Sequence, residues 1–172
     1  IMKINLLDYF NEGALSRFPN KLAVIDGERK FSFKELEHYS KNLSSLISDY
    51  LDSSGEPVAV FMPKSAEVII SNLAILYSGN FYTNFDYSSP EVRIKNLIKC
   101  IAPRLIISNQ EGINKLKNLD MFDENLILNV DDSISSKILH DSNSIANIVS
   151  KKIDTDPACI ISTSGSTGVP KS

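Results

Sequence analysis

At 172 residues, with 42% hydrophobic, 23% charged and 8% aromatic content, the chain suits one domain that buries roughly two-thirds of its unfolded surface, which excludes disorder, collagen and coiled coil. Eighteen basic and 21 acidic residues leave a net charge of −3 with no dense Lys/Arg run, so neither nucleic acid nor a membrane surface is expected as a partner. No apolar run reaches the roughly twenty residues of a membrane span and no signal core opens the chain, so a cytoplasmic location is expected.

In chain order, Leu7, Phe10, Ala14 and Phe18 recur at helical spacing until Pro19-Asn20, predicting a docking helix. Leu22–Ile25 and Arg29–Phe31 flank Asp26-Gly27, the dipeptide of a tight hairpin turn. Ser32 and Glu35 have reciprocal capping spacing, and Leu36, Leu43, Leu46, Ile47 and Tyr50 then share one helix face. Val58–Met62 is a continuous apolar run, as in a strand covered on both faces. Ser65 is the expected cap of the next helix, whose apolar residues from Val68 to Leu76 predict deep packing before Gly79 stops it.

Phe81–Phe85 reads as a further strand. Ser89-Pro90 then gives an N-cap followed by proline at the first helical position, with Ile94, Leu97, Ile98 and Ile101 as the buried stripe. Strands at Arg104–Ser108 and Leu126–Val130 bracket a helix near Ile113, Leu116 and Leu119. This alternation predicts an α/β fold: a mainly parallel, doubly wound sheet flanked by helices, with an N-terminal helix and β-hairpin, and ligands at the carboxyl ends of the strands. Residues 2–130 form that core. Residues 131–152 break the rhythm as an irregular excursion with some helix, and 158–172 are a strand followed by a loop. Cys100 and Cys159 have no metal spacing, and each lies in an apolar run that predicts a buried thiol in a reducing compartment. His38 and His140, and the carboxylates Asp26/Glu28, Asp131/Asp132 and Asp154/Asp156, read as surface groups, and no metal set is expected.

The chemistry concentrates in the last stretch, Ser162-Thr163-Ser164-Gly165-Ser166-Thr167-Gly168-Val169-Pro170-Lys171, which follows the apolar run Ala158–Ile161. Glycines let successive backbone N–H groups converge on one anion, hydroxyls add rotatable donors, and lysine supplies a compact positive charge. The P-loop of kinases and GTPases needs glycine directly before its lysine, and Pro170 stands there instead.

This stretch resembles the phosphate-loop signature of the adenylate-forming enzymes, Tyr-Thr-Ser-Gly-Ser-Thr-Gly-x-Pro-Lys, with Ser162 in place of the aromatic residue. Phe31–Leu36 resembles the early Leu-Thr-Tyr-x-Glu-Leu element. Leu73–Pro90 resembles Leu-Lys-Ala-Gly-x-x-Tyr-x-Pro-x-Asp: Gly79, Tyr82 and Asp86 match, while Tyr77, Ser78 and Asn84 depart from it. These two elements are expected to be mainly structural.

The resemblance implies an ATP- and Mg²⁺-dependent enzyme that joins a small carboxylic acid to AMP and releases pyrophosphate. The implied acid is an amino acid, passed to an acyl or peptidyl carrier protein, as in peptide-synthetase adenylation domains and D-alanine–carrier-protein ligases. An acyl- or aryl-CoA synthetase is the alternative within the family, and a noncatalytic nucleotide-binding or interaction module the alternative outside it. Thr163, Ser164, Ser166 and Thr167 would donate hydroxyls, Gly165 and Gly168 backbone N–H groups, and Lys171 would hold phosphate charge. The adenine and acyl pockets, the acidic Mg²⁺ ligand and the catalytic lysine fall downstream of Ser172 in the family, so no catalytic residue is expected within these 172 residues. The chain therefore reads as an N-terminal portion, inactive alone, with a mobile loop; Met2 directly before the first helix points to a free-standing protein.

Overall fold

The computed structural model describes residues 5–119, 126–131, 141–164 and 170–171, with side chains up to Ser162. The chain opens on a reciprocal cap. Asn5 accepts from the Asp8 N–H at 3.1 Å, and the Asp8 carboxylate accepts from the Asn5 N–H at 3.2 Å. Helix α1 (Leu6–Asp8) then widens into a π-helical segment, Tyr9–Leu15. Leu7 is buried and Phe10 packs on the main core, but Phe18, expected on the same stripe, lies past the helix end and is exposed.

Strands β1 (Leu22–Asp26) and β2 (Arg29–Ser32) form the predicted antiparallel hairpin. Its turn pair is Gly27-Glu28 rather than Asp26-Gly27. Gly27 has φ +60° at the first central position, which a type II′ turn requires. Helix α2 (Phe33–Tyr50) starts as expected: Glu35 accepts from the Ser32 N–H at 2.8 Å, and the Ser32 hydroxyl accepts from the Glu35 N–H at 3.3 Å. Leu36, Leu43 and Ile47 of its apolar stripe are buried, whereas Tyr50 in its last turn is exposed.

Five parallel strands follow, β3 (Pro57–Val60), β4 (Phe81–Asn84), β5 (Leu105–Ser108), β6 (Ile127–Asn129) and β7 (Cys159–Ile160), in the order β6-β5-β3-β4-β7. The connecting helices are α3 (Ala66–Tyr77), α4 (Glu91–Ile101), α5 (Gln110–Lys117) and, between β6 and β7, α6 (Ser142–Ser150). Strand pleating sorts the side chains to opposite faces. Val58, Val60, Leu105 and Ile107 join α2 and α3 in one core, while Ala59, Phe61 and Ile106 join α4 and α5 in the other. Helices on both faces make the predicted doubly wound sheet. The helix α6 occupies the end of the irregular excursion, capped by Asp141, with Ile145 buried against Leu7 and Tyr77.

Four local expectations are corrected. Ser65 makes no side-chain cap on α3; the Asp26 carboxylate reaches across from the hairpin and accepts the Ala66 N–H at 3.1 Å. Asp26 also pairs with Arg29, whose guanidinium holds Glu67 as well, so Asp26 is a tie between hairpin and helix rather than a plain surface carboxylate. For α4, Pro90 is itself the N-cap, because its carbonyl accepts from the Arg93 and Ile94 N–H groups. Cys100 is exposed and Cys159 half-buried, not core. The buried stripe of α4 runs through Ile94 and Leu97, and Cys100 falls on the far side. His38 is exposed as expected; His140 and Asp132 lie outside the described residues. No helix among the described residues is long and apolar enough to cross a membrane.

Gly112 sits inside α5 because the helix approaches the sheet too closely for a side chain. A Cβ there would lie 2.5 Å from the Phe61 carbonyl oxygen and closer still to Ser108 Oγ. Gly112→Ala is expected to lower stability by about 2 kcal/mol in urea unfolding, the overpacking term outweighing the gain in helix propensity. Gly55→Ala, with no atom within 4 Å and only φ +81° to strain it, should lose about 1 kcal/mol. Equal losses at the two positions would remove the close-approach explanation.

The hairpin tie also predicts an acid dependence. Burial opposes ionisation of Glu67, but its hydrogen bond to Arg29, its own backbone N–H and Ser65 together hold the carboxyl below its ordinary value of 4.5. A lowered folded value stabilises the chain above the ordinary value and loses that contribution as pH falls through the folded one. Urea midpoints of the wild type and Glu67→Gln should therefore differ at neutral pH and converge as pH drops below 4.5.

Candidate functional site

The sheet's carboxyl edge carries the residues singled out by the sequence. β7 pairs with β4 in parallel register, Tyr82 opposite Cys159 and Thr83 opposite Ile160, with the Tyr82 N–H donating to the Ala158 carbonyl at 3.1 Å. Beyond Ile161 and Ser162 the chain forms β8 (Thr163–Ser164), which returns as β9 (Pro170–Lys171) in an antiparallel pair: Thr163 opposite Lys171 and Ser164 opposite Pro170. β9 runs alongside α4.

This register brings together the two ends of the predicted phosphate loop. Thr163 and Lys171 face each other across a ladder whose connection is Gly165–Val169. Gly165, Ser166, Thr167 and Gly168, and the expected mobility of that loop, lie outside the described residues; of Thr163, Ser164 and Lys171 the backbone is described.

Ser162 is the last residue with a described side chain. Its Oγ is closed off from solvent and has no hydrogen-bond partner among the described residues. The sequence pattern marked Ser162 only as a replacement for an aromatic residue, so this orphaned hydroxyl at the mouth of the loop was not foreseen.

The position of the loop within the sheet is informative. In a doubly wound sheet, ligands usually enter where successive connections diverge, here between β3 and β5. That crevice is filled by the chain itself. The Phe61 N–H donates to the Ile107 carbonyl at 3.0 Å, the Ser108 hydroxyl donates to the Phe61 carbonyl, and Gly112 packs against both. The candidate site therefore stands at the β4–β7 side.

Between β3 and β4, at the same carboxyl end, lies a cleft of about 800 Å³ with Met62, Val68 and Phe85 among its apolar walls and Lys64, Asn84 and Asp86 at its rim. Its outer wall is held from α5. The Tyr87 hydroxyl donates to Glu111 at 2.8 Å, Lys115 Nζ donates to the Tyr87 carbonyl, and the same ammonium stands 4.5 Å from the Tyr87 ring centroid. Hydrogen bonds from the Ser88 hydroxyl and N–H hold the Asp86 carboxyl below its ordinary range, so it is ionised. Nothing in the sequence pattern marked Lys115 or Glu111. Of the motif residues in this element, Gly79 turns the chain at φ +79° where α3 ends, Tyr82 lies in β4 and Asp86 shapes the loop after it. Among the described residues no three His, Cys, Asp or Glu side chains come together as a metal set.

The orphaned hydroxyl gives a direct test. Removing a shielded hydroxyl that has no partner among the described residues forfeits no hydrogen bond to them, so Ser162→Ala should leave the chain as stable as before or more stable by up to about 1–2 kcal/mol. A clear loss of stability in urea would show that the hydroxyl has a partner.

Comparison with known proteins agrees with this geometry. The family described as AMP-binding enzyme matches residues 11–172. Nonribosomal peptide synthetase GRA1 of Gibberella zeae is 34% identical over 89% of this chain, and tyrocidine synthase 2 of Brevibacillus parabrevis is 28% identical over 93%. The matches span 2% and 4% of those proteins, so the chain corresponds to a small part of each. Among solved structures, the N-terminal subdomain of Klebsiella oxytoca NpsA superposes with a TM-score of 0.81 at 26% identity, covering 98% of this chain and 41% of that one. The same subdomain in complex with 3-hydroxyanthranilyl-AMSN gives 0.78 at 26% identity, covering 98% and 39%. The chain belongs to the AMP-binding enzyme family and corresponds to an N-terminal part of its adenylate-forming members.

Proposed function

We propose that this chain supplies the phosphate-holding part of an enzyme that activates an amino acid as its adenylate and loads it onto a carrier protein. The observation that carries the reading is the β8–β9 register, which sets Thr163 opposite Lys171 and so joins the ends of the Gly165–Gly168 loop at the carboxyl edge of the sheet. In the reaction, a carboxylate oxygen attacks the α-phosphorus of ATP, the bond from that phosphorus to the bridging oxygen of the β-phosphate breaks, and pyrophosphate leaves with the electron pair.

ATP would be the substrate here, and Mg²⁺ accompanying it would supply charge neutralisation for the departing pyrophosphate. The residues present fit that role. The loop offers only neutral donors and one cation, and Ser162 just before it adds a shielded hydroxyl with no partner among the described residues. Thr163, Ser164, Ser166 and Thr167 would donate hydroxyls, Gly165 and Gly168 backbone N–H groups, and Lys171 a point charge to the β- and γ-phosphates. Such a loop orients and stabilises; it does no covalent work.

The peptide-synthetase relatives support an amino acid and a carrier protein. A second reading, an aryl or other carboxylic acid, has the 3-hydroxyanthranilyl compound bound by NpsA behind it.

Exchange of labelled pyrophosphate into ATP tests the proposal. The 172-residue chain alone is expected to show none. The polypeptide translated from the natural reading frame should show exchange that depends on one amino acid in a panel, and Lys171→Ala should lower kcat/KM for ATP roughly 10- to 100-fold. Exchange with aryl or fatty acids only would select the second reading. Absence of exchange with every acid would favour a noncatalytic nucleotide-binding module.

A further inference from the structure

The ligand proposed for the β8–β9 hairpin carries several negative charges, and the one cation of that stretch is Lys171. β9, which holds Lys171, runs alongside α4. That helix carries three cations, Arg93, Lys95 and Lys99, and its geometry separates them. Ile94 and Leu97 are buried and Ile98 and Ile101 pack on the same core, so these four mark the side of α4 that faces the sheet. At about 100° per residue, Arg93 falls on one flank of that stripe, Glu91 and Lys95 on the other, and Lys99 faces outward.

Chain direction decides which flank meets the hairpin. α4 leaves the carboxyl end of β4 and returns to the start of β5, beyond β3 and away from β7. In the right-handed crossover that parallel strands adopt, a right-handed helix placed this way turns its Arg93 flank toward β7 and its Glu91–Lys95 flank toward β5. The hairpin continues from the carboxyl end of β7, and Arg93 lies in the first turn of α4, at that same end of the sheet. Arg93 is exposed, and among the described residues its guanidinium has no ion pair or hydrogen bond to hold it elsewhere. The carboxylate of that turn, Glu91, lies on the far flank.

We propose that Arg93 is a second cation of the phosphate site: a binding residue whose planar guanidinium takes two oxygens of the β- or γ-phosphate of ATP, while Lys171 supplies a point charge from the hairpin. The inference rests on the proposed function, which supplies the ligand. Arg93 itself lies outside the phosphate-loop motif, some seventy positions earlier in the chain.

Equilibrium binding of MgATP and of AMP to the polypeptide translated from the natural reading frame tests this, because AMP lacks the phosphates concerned. Arg93→Gln should raise the Kd for MgATP about five- to ten-fold and leave the Kd for AMP within about two-fold. Arg93→Lys should recover most of that loss, and the loss should shrink as salt is added. Lys95→Gln and Lys99→Gln, on the other sides of the same helix, should change neither constant. Unchanged MgATP binding in Arg93→Gln, where Lys171→Ala does weaken it, would overturn the inference and leave the proposed function standing. Equal losses for the Arg93, Lys95 and Lys99 variants would overturn it as well, since the flank would then be irrelevant. So would equal losses for MgATP and AMP, which would mean that Arg93 supports the fold rather than the ligand. If Lys171→Ala and Arg93→Gln both leave MgATP binding unchanged, the proposed phosphate role of the hairpin falls and the assignment of Arg93 falls with it.

Discussion

The backbone of β3 is the constraint from which the architecture follows. Val58, Ala59 and Val60 are buried on both faces, so their backbone N–H and C=O groups have no access to water and must be paired within the sheet. They are paired on both sides, with β4 through Pro57–Val60 and with β5 through Val58–Val60. Those two registers align the carboxyl ends of three strands. The two helical layers then follow from pleating, since alternate residues of β3 and β5 demand apolar cover on opposite faces. The strands that deliver the carboxyl-edge loops take their positions from this central strand, β5 and β6 on one side and β4 and β7 on the other.

That dependence explains why the candidate site stands away from the divergence point of the connections. The crevice between β3 and β5 is the expected entrance for a ligand, yet Gly112 lets α5 settle directly onto the Phe61 carbonyl and Ser108. Close packing there braces the sheet and holds the base of α5, from which Glu111 and Lys115 clamp Tyr87 at the neighbouring cleft. The open cleft lies next to it, between β3 and β4. A glycine at one helical position thus bears on where a ligand can bind, through packing alone.

The fold was legible because its signals are local. The capping box at Ser32 and Glu35, the continuous apolar runs at Val58 and Leu105, and the stripe of α4 each report a property of a few consecutive residues, and each is realised. The misreadings involve partners distant in sequence. Asp26 displaces Ser65 as the donor's partner at the start of α3 because the hairpin turn happens to lie over that helix, forty positions along the chain. Cys100 sits in an apolar run but on the outer side of its helix, where the helical period, and not the apolar character of its sequence neighbours, decides burial. The phosphate-loop stretch was visible as a motif. The features that give it a place, the Thr163–Lys171 register and the pairing of β7 with β4, arise from strand pairing that no single segment encodes.

Electrostatics narrows how such a site can work. These 172 residues carry a net charge of −3, so their own summed charge gives a polyphosphate no attraction. Favourable interactions must come from short range: converging backbone dipoles, hydroxyls that reorient, and Lys171. Groups of this kind are effective only where their geometry is fixed, because a dipole's attraction falls off steeply with distance and misalignment. A basic patch tolerates a loose scaffold; a cradle of dipoles does not. On the proposed function, the short strand β7 and its backbone bond from Tyr82 are the means by which an acidic chain holds its neutral donors in place for a highly charged ligand.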